Sequence, residues 1–204
     1  MTNKIKNTEE LEALYGKPAE ASLLKEVNYI HLLYRPYIES SPFLAVATCG
    51  SDGMDVSPRG DAPGFLVIED EHTLLLPDRR GNNRIDSMRN LLENNQIALL
   101  LLIPEVNETL RINGTAEIII DSEILARFSV NGVLPRSVLR IHVERVFFQC
   151  GRALIRSGLW QSKYPAEKGK IPPPGQILKS ISCDEFDGDA YDAELPSRIA
   201  KTLY

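Results

Sequence analysis

Phe43-Leu-Ala-Val-Ala-Thr-Cys-Gly-Ser-Asp-Gly-Met-Asp-Val-Ser-Pro-Arg-Gly-Asp-Ala-Pro-Gly-Phe65 is the stretch that decides the fold. Its first part, Phe43 to Cys49, is apolar and β-prone. Gly50-Ser51-Asp52-Gly53 is a turn cluster, so the chain should double back as an antiparallel hairpin from Met54. Pro58, Gly60, Pro63 and Gly64 then interrupt the return. Proline cannot donate to a ladder, so this part reads as an edge, a bulge or a ligand-facing kink.

Further strands follow the hairpin. Phe65 to Ile68 and Thr73 to Leu76 form an apolar pair around Glu69-Asp70-Glu71. Gln96 to Ile103, Leu110 to Ile120 and Ser137 to Phe148 read as three more. Helical patterns are fewer. Ile85, Met88, Leu91 and Leu92 fall on one helical face, with Asn82 or Asn83 able to cap its start. Short helices are expected from Ser122 to Val130 and beyond Gly151. Helices that rarely alternate with strands disfavour a doubly wound parallel sheet and favour a mainly β fold, an antiparallel barrel with peripheral helices.

The flanks differ from this centre. Residues 1–40 read as a helical extension, with Leu11, Leu14 and Tyr15, and then Leu23, Leu24, Val27 and Ile30, at helical spacing, and with Pro36 closing it. Residues 41–165 form the barrel domain. Residues 166–204 combine a proline-rich spacer, Ile171-Pro172-Pro173-Pro174-Gly175, with an acidic segment that holds six acidic residues and no basic one between Asp184 and Glu194. Asp187-Gly188-Asp189 lacks the ligand spacing of a calcium loop, so a solvated surface is expected there.

The chain has 204 residues and a net charge of −5, which disfavours nucleic acid as a partner. The start is polar and lacks a signal-peptide core, and no apolar run is long enough to span a membrane. Cys49, Cys150 and Cys183 are odd in number and scattered, the pattern of reduced thiols, so a cytoplasmic location is expected. His31, His72 and His142 lack metal-like spacing, and no metal is expected.

Two segments carry local chemistry. In residues 57–65, Ser57 and Arg59 offer donors to an anion, while Gly60 lets the backbone come close to a ligand. A surface turn held by an Arg59–Asp61 ion pair is the alternative. In residues 74–84, a strand runs through Pro77-Asp78-Arg79-Arg80-Gly81-Asn82-Asn83-Arg84 into a helix start. Free N–H groups, a positive dipole end and three arginines suit a phosphate. Helix capping by Asn82 with solvated arginines is the alternative, but Arg79, Arg80 and Arg84 exceed what capping needs. Cys150 reads as a packed thiol or as a thiolate beside a helix start. Trp160 reads as a core anchor, an interface residue or a ring that stacks on a cofactor.

Five pieces in fixed order carry a family resemblance: residues 57–65, 75–84, 90–94, 109–116 and 147–160. Across about residues 20–175 the chain resembles the pyridoxamine 5′-phosphate oxidase-like, FMN-dependent split-barrel proteins, and within them a branch of FMN-dependent enzymes with an unsettled substrate. The resemblance implies a six-stranded antiparallel split barrel and a homodimer with FMN at the interface. It implies that Ser57, Arg59, Gly60 and Asp61 contribute to the flavin site, and that Pro77, Asp78, Arg79, Asn82, Asn83 and Arg84 bind the ring edge and phosphate. Gln149, Cys150 and Trp160 would reach the flavin of the partner subunit. The implied function is a flavin-dependent oxidoreductase acting on a small molecule, the alternative being a flavin- or haem-binding sensor without turnover. The C-terminal Arg-x-His motif of the vitamin B6 oxidases is absent, so their substrate is not implied.

Overall fold

The computed structural model describes residues 4–167 and 169–203; residues 1–3 and 204, which belong to the expected terminal segments, and residue 168 lie outside the described residues. Three helices, α1 (Thr8–Tyr15), α2 (Glu20–Leu24) and α3 (Arg35–Ser40), precede the sheet. Pro36 does not close this region. It lies in the first turn of α3, where its missing N–H costs nothing because the first helical N–H groups have no intrahelical partner.

Strands β1 (Phe43–Gly50) and β2 (Gly53–Gly60) form the expected hairpin, with Gly50 opposite Gly53. β2 does not stop at Ser57. It runs through Pro58 and Arg59, which pair with Ala45 and Leu44. β2 is an edge strand, so the missing N–H of Pro58 removes no ladder bond. Then come β3 (Val67–Ile68), β4 (Thr73–Asp78), α4 (Asp86–Glu93), β5 (Gln96–Leu102), β6 (Thr109–Ile119), α5 (Ser122–Ala126), β7 (Ser137–Gln149) and α6 (Arg152–Ser157).

The strands make one antiparallel sheet in the order β2-β1-β5-β6-β7-β4-β3. It therefore has seven strands, in line with the apolar pair read at Phe65 to Ile68 and Thr73 to Leu76, and not the six that the family resemblance implies; the two-residue β3 is the added edge. The sheet is curved but not closed, since β2 and β3 do not pair. A β-bulge opposite Asn113/Gly114, with Glu144 as the extra residue of β7, sharpens the bend of β7 against β6. Only glycine fits there: a Cβ on Gly114 would lie 1.9 Å from the His142 carbonyl oxygen.

The core lies inside the curve. Leu44, Val46, Leu74, Leu76, Leu99, Leu101, Leu110, Ile112, Ile141 and Val146 are buried there, and each strand alternates these with outward residues. α4 plugs one end. Its buried face is Ser87, Met88, Asn90 and Leu91, not the expected stripe, and Leu92 is exposed. Asn90 Nδ2 donates to Thr48 Oγ1 at 3.1 Å, which gives the buried amide a partner on β1.

The acidic tail is not irregular. Pro174 starts α7 (Pro174–Ile181), and the acidic run mostly lies in α8 (Gly188–Thr202), capped by the Asp187 side chain. Among the described residues, no helix is long and apolar enough to cross a membrane.

Candidate functional site

The open seam between β2 and β4 has no backbone ladder, and two ion pairs cross it. Arg59 Nη2 lies 3.6 Å from Asp78 Oδ1, and Arg79 Nε lies 2.8 Å from Asp61 Oδ2. The arginines thus pair across the seam, not as the Arg59–Asp61 pair weighed from sequence. Arg79 is also tied inward, donating to the Phe128 carbonyl at 2.6 Å.

A cleft of about 260 Å³ lies in this seam. Arg59, Gly60, Pro77, Asp78, Arg79, Asn82 and Asn83 line it together, so both sequence segments meet at one place. Arg80 and Arg136 also line it. Arg80 has no hydrogen bond or ion pair with any described residue. Arg136 Nη1 donates to Asn83 Oδ1 at 3.0 Å. Its role was not read from sequence. The only available signal was a lone arginine after Leu134-Pro135, just before β7, and nothing in that context points to the seam.

Phe65, Ile85 and Met88 supply apolar wall. Ile85, not an asparagine, is the residue before α4. It adopts φ 50°, a left-handed conformation unfavourable for a β-branched side chain. Asn82 instead accepts from the Arg84 N–H at 3.0 Å, one turn too early to cap the helix. The first N–H groups of α4 are thus left without a side-chain cap at the edge of the cleft.

Among the described residues, Asp78 is the only carboxylate lining the cleft. Burial pushes its carboxyl above the usual aspartate range, and the Arg59 and Arg136 guanidiniums pull it partly back. The Asp61 N–H is held by the Pro42 carbonyl at 3.1 Å, so it is not available to a ligand.

The remaining candidates lie elsewhere in the single chain. Ser57 donates to Asp55 Oδ2 at 2.9 Å. Arg84 pairs with Asp86 at 2.7 Å and borders a neighbouring polar cleft. Gln149 and Cys150 line a third cleft, of about 750 Å³, on the outer face of the sheet. Trp160 Nε1 donates to the Val106 carbonyl at 2.8 Å. The aromatic and histidine cluster of Tyr29, His31, His72 and His142 lies by the other end of β4, about 20 Å from Asp78 at the rise of an extended strand.

A sequence profile described as pyridoxamine 5′-phosphate oxidase matches residues 33–150. Among solved structures, HupZ of Group A Streptococcus is 24% identical, aligned over 59% of this chain and 94% of its own, with a TM-score of 0.48. A Clostridium acetobutylicum protein related to general stress protein 26 of B. subtilis, of the pyridoxinephosphate oxidase family, is 16% identical over 58% of this chain and 87% of its own, at a TM-score of 0.45. The FAD binding protein from Mycobacterium smegmatis is 15% identical over 60% and 97%, at 0.42. No curated protein matches the chain.

Proposed function

The chain belongs to the pyridoxamine 5′-phosphate oxidase family, and from that premise we propose that it binds FMN in the seam cleft, as a homodimer, and acts as a flavin-dependent oxidoreductase on a small molecule. The observation that carries this reading is the uncompensated positive charge of the cleft. Arg80 has no partner among the described residues, and Arg136 donates to a neutral amide and shares the single Asp78 carboxylate with Arg59. Both lie beside the uncapped start of α4, where cations are unfavourable without an anion. Guanidinium forks next to free helical N–H groups are the donor set of a phosphate site. Pro58, Phe65, Pro77, Ile85 and Met88 add flat and apolar wall against which a ring system can lie. The residues present therefore fit FMN.

The dimer reading has two supports. A cleft of about 260 Å³ is below the roughly 300–1,000 Å³ of complete small-molecule sites, as expected of a half-site that a second chain completes. The outer face of β1, β2 and β5 is apolar and uncovered, with Met54 79% and Val56 66% exposed, as expected of an interface. Gln149 and Cys150 line that same outer face, so a partner chain would cover them. The three cysteines are free, which fits a reducing cytoplasm.

Bound FMN would supply the hydride and electron chemistry itself. In this chain, Arg80 and Arg136 would hold its phosphate. Asp78 would keep Arg59 and Arg136 turned toward the cleft, and Phe65 and Met88 would keep water from one wall. One observation favours a second reading, a flavin carrier without turnover: no histidine, cysteine or tyrosine lines the cleft, so Asp78 is the only side chain of ordinary acid–base type there.

Protein denatured by heat should release a yellow chromophore with the absorption and mass of FMN. Colourless protein that also fails to take up added FMN would refute the proposal. Rapid reduction of the bound flavin by NADPH or NADH supports the oxidoreductase; a flavin that neither donor reduces favours the carrier.

A further inference from the structure

The α7–α8 hairpin is a preformed unit. Its helices cross at Gly175 and Gly188, where a Cβ on Gly175 would lie 2.0 Å from the Gly188 carbonyl oxygen. The Gly175 N–H donates to Asp192 Oδ1 at 2.6 Å, and Lys179 pairs with Asp189 at 2.9 Å. The two helices pack chiefly on each other and not on the sheet. Yet Ile177, Ile181 and Phe186 are exposed, Ile181 by 76%. An apolar surface of this kind on an ordered hairpin calls for a covering partner.

The third cleft has complementary chemistry. Its floor includes Ala45, Ala47, Ala98 and Leu100, and its rim includes Arg152 and Arg156. Among the described residues, no acidic one lines it and neither rim arginine has a pairing partner. The hairpin brings six acidic residues and no basic one between Asp184 and Glu194; Asp187, Asp189 and Asp192 are engaged within the hairpin, which leaves Asp184, Glu185 and Glu194 to face a partner. Opposite charge around apolar contact is what fixes partner and register. No residue of α7 or α8 lines the cleft of its own chain, and Pro172-Pro173-Pro174 stiffens the connection from α6.

We infer that the hairpin of one chain docks into the arginine-rimmed cleft beside α6 of a second copy, so that two chains clasp each other. This rests on the homodimer proposed above, with which it shares the outer face of the sheet.

The chain carries its own probes. Cys150 lines the cleft, Cys183 follows α7 in the hairpin turn, and both are exposed and free. Full-length chains carrying Cys49→Ser with Cys150→Ser are co-expressed with chains carrying Cys49→Ser with Cys183→Ser, and treated with a short bismaleimide. Docking between copies joins one chain of each kind through a Cys150–Cys183 peptide. Arg152→Glu with Arg156→Glu in the cleft-bearing chain should lower the yield about tenfold, a change of about 1.4 kcal/mol, and Asp184→Lys with Glu185→Lys in the other chain should restore it. A dimer by mass that gives no such peptide overturns the docking and leaves the homodimer standing. A monomer overturns both. A Cys150–Cys183 link within one wild-type chain, or a loss that the charge swap does not restore, also overturns the docking.

Discussion

Arg79→Met should separate the arginine that holds the fold from those that hold a ligand. The side chains of Arg79 and Asp61 are only 19% and 7% exposed, with Nε and Oδ2 2.8 Å apart. Methionine keeps the apolar bulk but removes the guanidinium from beside the Asp61 carboxylate and a donor from the Phe128 carbonyl. Breaking a buried ion pair by removing one partner costs about 3–5 kcal/mol. Here Asp61 keeps at least the Ala62 N–H at 2.7 Å, which lowers the expected loss to about 2–4 kcal/mol. For a chain of this size that lowers the melting temperature by roughly 5–15 °C. Urea denaturation of Arg79→Met, Asp61→Asn and the double variant gives the coupling directly. The double variant should recover at least about 1 kcal/mol relative to the sum of the singles, because the carboxylate charge is gone as well. A cost under about 1 kcal/mol for Arg79→Met, or strict additivity, would refute the seam ion pair as a structural element.

Arg80→Ala and Arg136→Ala should leave the melting temperature of the cofactor-free protein nearly unchanged, because neither side chain anchors the core; titration with FMN, followed by quenching of its fluorescence, should show each weakening binding about tenfold or more, as loss of a charge-assisted phosphate contact predicts. Equal affinities would remove both from the phosphate site. Asp78→Asn should change the pH dependence of stability. Burial raises the Asp78 carboxyl, so the folded state holds its proton more tightly than the unfolded chain. Its contribution is therefore most favourable below the ordinary aspartate range and declines as pH rises through the raised folded value. As pH rises from below the ordinary aspartate range through the raised folded value, the wild type should lose stability relative to the asparagine variant; parallel pH curves from urea midpoints would contradict this. Gly114→Ala should destabilise by about 3 kcal/mol or more, because its Cβ meets the backbone oxygen of His142 and not a side chain that can move; a melting temperature within about a degree of wild type would show that the bulge relaxes freely.

The strands were legible because period-2 alternation and the Gly50–Gly53 turn are local signals. The limits of that reading are physical. Pro58 left an edge, a bulge and a ligand-facing kink open because a proline does not reveal whether its strand has a neighbour on that side; the sheet order places β2 at an edge, where the missing N–H costs nothing. The tail looked like a solvated spacer because charge and proline counts do not register that Pro174 begins a helix or that Gly175 and Gly188 let two helices cross. The seam cleft was half legible: both segments read as anion sites lie on it, but a single arginine has the same sequence signature whether it is stitched or free. Arg79 is separated by 18 positions from Asp61 and by 49 from Phe128, and Arg136 by 53 from Asn83. Each of these separations is set by the sheet order and not by any local motif. The division of labour among the arginines is therefore a property of the seam. With Arg79 satisfied by protein oxygens and Arg59 paired with Asp78, the unspent positive charge at the start of α4 falls to Arg80 and Arg136, and an anionic ligand is the group that would neutralise it.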